Sequence, residues 1–143
     1  ISACLVGSEM CIRDRIGDGV HVHPAVLRLV LEGEQAKPAV LVSDSVAWER
    51  PGLVVDGGAA RLADGTLAGS IVTLAEAVRV AVRHAGVPLA TALAAASTHP
   101  AALLGEHDRG VLRPGARADV VAFDADLAVS AVWVAGRSVP GSA

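Results

Sequence analysis

The sequence predicts an α/β unit that carries a smaller β element. Three observations lead there. Apolar residues at helical spacing alternate with a short, wholly apolar run, Ala39 to Val42. Helix starts and stops (Pro24, Gly33, Thr73 with Glu76, Gly86, Pro88) punctuate the first hundred residues. Beyond Gly105 the helical period disappears and strand-length apolar runs remain.

The 143 residues suffice for one small domain or a piece of a larger one. Hydrophobic residues make up 52% and aromatics only 2%, so the core must be built from Ala, Val and Leu with backbones in close approach. The net charge of −3 supplies no basic field for a nucleic-acid backbone, and no such partner is expected. No apolar run is long enough to cross a bilayer, so no membrane partner is expected either. The start lacks a basic region followed by a compact apolar stretch, and a cytoplasmic location is expected. Cys4 and Cys11 offer neither a disulfide framework nor metal-ligand spacing.

Residues 1–15 stand apart. They hold both cysteines, the only methionine and two close Arg–Asp alternations, whereas the Ala/Val/Gly texture begins at Ile16. The stretch SEMCIRDR resembles a translated sequencing adapter, and the segment is read as non-native; the competing reading is a strand from Ala3 to Val6. Two parts are expected after it, residues 16–105 and residues 106–143.

Pro24 suits a first helical turn, Val26, Leu27, Val30 and Leu31 follow at helical spacing, and Gly33 is the stop. Ala39 to Val42 has no polar face, which favours a parallel strand buried on both sides. Leu53 to Leu62, broken by Asp56-Gly57-Gly58, reads as a hairpin. Asp64 to Ser70 reads as a turn-rich stretch. Thr73 and Glu76 form a capping-box pattern for a helix ending near Gly86. Further helices are expected from Pro88 to about Ser97 and from Pro100 to Leu104. Val111-Leu112, Asp119 to Phe123 and Ala128 to Val134 read as strands.

Three places could carry chemistry. Asp44 follows the buried run directly, at the end of a parallel strand where barrel enzymes keep their catalytic groups; the competing role is a turn cap. His21 and His23 sit in Asp-Gly-Val-His-Val-His, and an extended chain would put both rings on one side. His-x-His is a zinc-ligand spacing, but no carboxylate or cysteine cluster stands nearby to complete a site, so capping or solvation competes. Gly65 to Ser70 could let a ligand approach the backbone ahead of a helix N-terminus, or could simply connect a hairpin. His84 is read as structural, His99 as a turn residue and His107 as a solvated loop residue.

The order DGVHVHP, LVSDS, DGGAARLADGTLAGSIVTLAEAV, ASTHPAALLG and DRGVLRPGARADVVAFD resembles the C-terminal part of the N-acetylglucosamine-6-phosphate deacetylases. The resemblance covers almost all of Ile16 to Val139. Thr98-His99-Pro100-Ala101, Gly110, Pro114-Gly115 and Ala118 to Val121 are similar to the closing segment of many amidohydrolases. DGVH and GTLAGS point to the sugar deacetylases in particular.

The resemblance implies the C-terminal part of a (β/α)8 barrel plus strands of a small β-sandwich, with Ile16 ending barrel strand seven and Ala39 to Val42 forming strand eight. It implies hydrolysis of N-acetylglucosamine 6-phosphate to glucosamine 6-phosphate and acetate. Asp44 matches the acid/base group, though the usual Thr-Asp-Ala is here Ser43-Asp44-Ser45. Asp18, Gly19, Val20 and His21 match a substrate-contacting loop, and Leu67, Ala68 and Gly69 match a loop that closes on the sugar. His23 matches no ligand position. A divalent metal, zinc or iron, is implied, with its glutamate and histidine ligands on earlier strands, so this chain alone is expected to be inactive. A homodimer is implied for the full-length enzyme. Another amidohydrolase C–N hydrolase, or a non-catalytic fragment, are the competing readings. Asp44 and His21 are expected to share one concave site, with Leu67 to Gly69 at its rim.

Overall fold

A computed structural model describes residues 13–33 and 39–140. The proposed strand Ala3 to Val6 lies outside the described residues. The first element is β1, Arg13–Ile16. It therefore begins inside the segment read as non-native, earlier than the change of texture at Ile16. Next come helix α1, Pro24–Glu32, and strand β2, Ala39–Val42. β1 and β2 pair in parallel, with Arg13 opposite Ala39 and Ile16 opposite Val42. The parallel pairing expected of an all-apolar run is thus present, and α1 is the crossover that parallel strands need.

The core lies against β2. Leu27 and Leu31 of α1 meet Ala39 and Leu41, and Val78 and Ala81 close over them from helix α2, Leu74–Arg83, with Ala85 and Val87 just beyond its end. Ala92 and Ala95 complete the cluster. Small side chains allow the backbones to approach closely. At Gly17, just past β1, a methyl group would stand 2.8 Å from Ala77 Cβ.

The capping box is formed. Thr73 Oγ1 accepts from Glu76 N–H at 3.2 Å, and Thr73 N–H donates to Glu76 Oε2 at 2.8 Å. Such a cap stabilises a helix by about 0.5–2 kcal/mol.

The hairpin is also present, as β3, Leu53–Asp56, and β4, Ala59–Leu62. Gly57 and Gly58 have φ of 58° and 82°, the left-handed pair that a tight two-residue turn requires. The stretch read as turn-rich adds a third strand, β5, Leu67–Ser70, antiparallel to β4. The glycines obscured a strand because its pairing partner, not its own composition, holds it extended.

Two further expectations are corrected. Helix α3, Leu89–Leu93, runs through one π turn, Ala94–Thr98, into α4, His99–Leu103. The wider turn lies just ahead of Pro100, whose missing N–H and bulky ring would otherwise end the helix. Val111 and Leu112 form no strand; both are exposed. The tail is a meander of β6, Val120–Phe123, β7, Val129–Val134, and β8, Arg137–Ser138.

The architecture is therefore α/β, with one parallel pair and two antiparallel three-stranded sheets. No closed barrel is formed among the described residues. Among them, no helix is long and apolar enough to cross a membrane. Large apolar side chains stand exposed on several elements, among them Leu29, Leu104 and Leu112.

Candidate active site

The parallel pairing sets the site. Ile16 and Val42 are opposite each other, so the chain leaves β1 and β2 at the same end of the sheet. Gly17 N–H still donates to Val42 O, at 3.4 Å. Asp18 and Asp44 each stand two residues beyond that last pair. This is the end of a parallel sheet where ligands bind in α/β folds.

The loop after β1 is built around Asp18. Its side chain is fully enclosed. Oδ1 accepts from Val20 N–H and His21 N–H, both at 2.9 Å, and Oδ2 meets His21 Nδ1 at 2.5 Å. Burial pushes this carboxyl up. The His21 side-chain bond, the two backbone N–H donors and the charge of His21 outweigh burial and hold it below the usual carboxylate range. Gly19, at φ 76°, supplies the left-handed residue that lets the loop fold back on Asp18.

His21 and His23 are not presented as an extended pair. His23 caps α1: its Nδ1 accepts from Ala25 N–H at 3.2 Å. The capping reading is therefore realised for His23, and His21 is instead bound to Asp18. The two rings need opposite protonation at Nδ1, since one faces an acceptor and the other a donor. Both border a groove shared with Asp14, Arg15, Val22 and Val26.

Asp44 is treated differently. It is exposed and takes φ 46°, a left-handed conformation that Asp tolerates better than most side chains. Its carboxylate makes no hydrogen bond or ion pair among the described residues. Its backbone is fixed: Asp44 O accepts from Ser70 N–H at 3.2 Å, and Val46 N–H donates to Ser70 O at 3.0 Å. Ser45 and Ser70 form a parallel bridge between these bonds. Ser70 is wholly buried, and its Oγ accepts from Val72 N–H at 3.0 Å.

Leu67, Ala68 and Gly69 lie on β5, beside this clasp. Leu67 is exposed, Ala68 half-buried and Gly69 buried. At Gly69 the close neighbour is protein: a methyl there would stand 2.5 Å from Val46 Cγ1. The two loops are linked through the β3–β4 turn. A methyl on Gly58 would touch Val20 at 3.6 Å, and the next residue, Ala59, pairs with Ser70. Asp18 and Asp44 thus leave the same end of the parallel pair, and Ser70 ties β5 to Asp44. The groove beside His21 does not include Asp44 or Leu67 to Gly69 in its lining.

Sequence reasoning passed over two residues. Ser70 ends GTLAGS and clasps Asp44; a small polar residue before a capped helix was the available sign. His99 was read as a turn residue, yet it lies in α4 and its Nδ1 bonds Ala39 O at 2.8 Å. A carbonyl only accepts, so His99 carries its proton on Nδ1 and ties α4 to the start of β2. His107 is exposed, as expected of a solvated loop residue, and His84 is the exposed C-cap of α2. Among the described residues, no three His, Cys, Asp or Glu side chains gather to hold a cation.

The profile of an amidohydrolase family matches residues 20–140. A putative N-acetylgalactosamine-6-phosphate deacetylase of Escherichia coli K12 is 38% identical over 132 residues, covering 85% of this chain and 79% of that protein. The N-acetylglucosamine-6-phosphate deacetylase of Danio rerio is 40% identical over 138 residues, covering 87% of this chain and 33% of that protein. The crystal structure of the Mycobacterium smegmatis N-acetyl-D-glucosamine-6-phosphate deacetylase superposes with a TM-score of 0.78 at 37% identity, over 90% of this chain and 38% of that one. The chain thus spans little more than a third of that solved structure and about a third of the zebrafish relative.

Proposed function

The chain belongs to the amidohydrolase family, and from that premise we propose that it supplies the C-terminal part of a deacetylase active site for an N-acetylamino-sugar 6-phosphate. N-Acetylglucosamine 6-phosphate is the preferred substrate of this reading. The products are acetate and glucosamine 6-phosphate. β1 and β2 would be the last two strands of a (β/α)8 barrel, and β6 to β8 would join a small β-sandwich. The exposed apolar residues, Leu29, Leu104 and Leu112 among them, support burial against further protein. The divalent zinc or iron expected for such an enzyme would be held by residues outside those described.

The observation that carries the proposal is Asp44. Its carboxylate is exposed and has no partner among the described residues, at the C-terminal end of a parallel strand, and its backbone is clasped by Ser70. An amide is a poor electrophile and an amine a poor leaving group, so hydrolysis needs a group that moves one proton twice. Asp44 takes the proton of the attacking water as the new C–O bond forms. It returns that proton to the amide nitrogen as the C–N bond breaks. His21, at the same end and hydrogen-bonded to Asp18, binds the sugar phosphate, and Leu67 to Gly69 border the sugar.

The test is acetate release by the whole protein that carries this chain. N-Acetylglucosamine 6-phosphate, its galactosamine epimer and unphosphorylated N-acetylglucosamine are compared. Turnover of the glucosamine phosphate, lost in Asp44→Asn, is the expected result. No acetate from any of the three would overturn the reading.

A further inference from the structure

Asp18 and His21 share a loop, but they do not share a role. We infer that Asp18 touches no substrate and is a positioning residue: it keeps a proton on His21 Nδ1 and so turns His21 Nε2 toward the groove. This rests on the proposed function only for the identity of the ligand.

The geometry leaves Asp18 no other part. Its side chain is wholly enclosed, and both oxygens are used inside the loop, on Val20 N–H, His21 N–H and His21 Nδ1. An ionised carboxylate can only accept, so the ring nitrogen facing it must carry hydrogen. Burial raises the Asp18 carboxyl, but the His21 ring, the two N–H donors and the His21 charge hold it ionised. Of the other charged and titratable groups lining the groove, Arg15 and His23 are bonded within the chain, and the Asp14 carboxylate is exposed with no bond among the described residues. Arg15 donates to the backbone oxygen of Asp14, and His23 accepts from Ala25 N–H. Nε2 is the ring atom left for a ligand, and His21 borders the groove. With Nδ1 protonated, Nε2 accepts a hydrogen bond when the ring is neutral. It donates one, with charge, when the ring is protonated.

Asparagine separates this role from simple support of the loop. In Asp18→Asn, Oδ1 can still accept from both backbone N–H groups. The amide NH2 then faces His21 Nδ1 and can only donate. The ring proton must move to Nε2, so a neutral His21 offers a donor where it had offered an acceptor. The side chain keeps its size while the tautomer inverts.

The experiment uses the whole protein labelled with 15N-histidine. In alkaline buffer, 15N–1H spectra should place the His21 proton on Nδ1 in the parent and on Nε2 in Asp18→Asn. The melting temperature should fall less in Asp18→Asn, which keeps both backbone bonds, than in Asp18→Ala. In the same Asn variant, KM for N-acetylglucosamine 6-phosphate should rise about tenfold, because the phosphate then meets a neutral Nε2–H in place of a charged one backed by Asp18. kcat should fall less than KM rises, because Asp44 is untouched. A His21 proton that stays on Nδ1 in Asp18→Asn would overturn the inference. So would a moved proton with unchanged KM in a parent that turns the substrate over. A moved proton in a parent that releases no acetate upholds the positioning role and removes the hydrolase reading instead.

Discussion

Asp18 and Asp44 occupy equivalent places and have opposite fates. Each stands two residues past the same strand pair, Ile16 and Val42. Asp18 is enclosed, with three hydrogen-bond partners on its carboxylate. Asp44 is exposed, and among the described residues only its backbone is bonded. One carboxylate builds its loop; the other is held by its loop. A reactive carboxylate needs free lone pairs and a rigid base, and Ser70 supplies the second without consuming the first.

The sharpest way to break this contrast is Asp44→Asn. Asn keeps the shape and tolerates the left-handed backbone, but it cannot carry a proton. In the whole protein, kcat should fall by about 10²–10⁴-fold, with KM and melting temperature close to the parent's. Steady-state kinetics and a thermal melt measure both. A kcat within a few-fold of the parent would remove Asp44 from the chemistry.

Asp18→Ala should do the reverse and act first on stability. It strands two backbone N–H groups and the His21 ring, at a cost of about 1–3 kcal/mol for each buried donor left unpaired. Denaturant unfolding should show the loss, and an Asp18→Ala protein as stable as Asp44→Asn would erase the distinction between the two loops.

Gly69→Ala tests the base under Asp44. The added methyl would stand 2.5 Å from Val46 Cγ1, so Val46 or β5 must move. A cost of about 1–3 kcal/mol is expected for such overpacking. Because Val46 N–H and Asp44 O are both bonded to Ser70, kcat should fall with stability. Unchanged kcat in a destabilised variant would show that the clasp does not aim Asp44.

The smallest effect is in acid. Asp18 is held below its ordinary value in the folded chain, so its share of stability is present above the unfolded value. That share is lost as pH falls through the lower, folded one. Asp18→Asn should flatten this part of the acid limb, below about pH 4. A pH series of unfolding midpoints, unchanged between parent and variant, would contradict the assignment.

The contrast between the two aspartates was only half legible in the sequence. Asp44 could be read because its signal is local: a wholly apolar run followed at once by a carboxylate. The burial of Asp18 could not be read, because Asp-Gly-x-His describes an exposed turn equally well. Asp18 lies between Gly17, which is packed against Ala77 and Leu41, and Gly19, which lies beside Val80. Those neighbours come from other elements of the chain.

What the sequence by itself determined is everything whose cause lies within a few residues. Pro24 and Gly33 bound α1, Thr73 and Glu76 start α2, and Gly57-Gly58 turns the hairpin. The apolar run of β2 takes the parallel pairing it implied. What only the tertiary structure decided depends on partners far along the chain. Leu67 to Ser70 is a strand because β4 pairs with it, and Ser70 reaches Asp44 across 26 positions of sequence. His99 is a tether, not a turn, because Ala39 O lies 60 positions away and within 2.8 Å. A backbone group must find a partner when it is buried, and it accepts whichever donor the packing brings. Local period and capping residues set the elements; the search of buried polar groups for partners set the site.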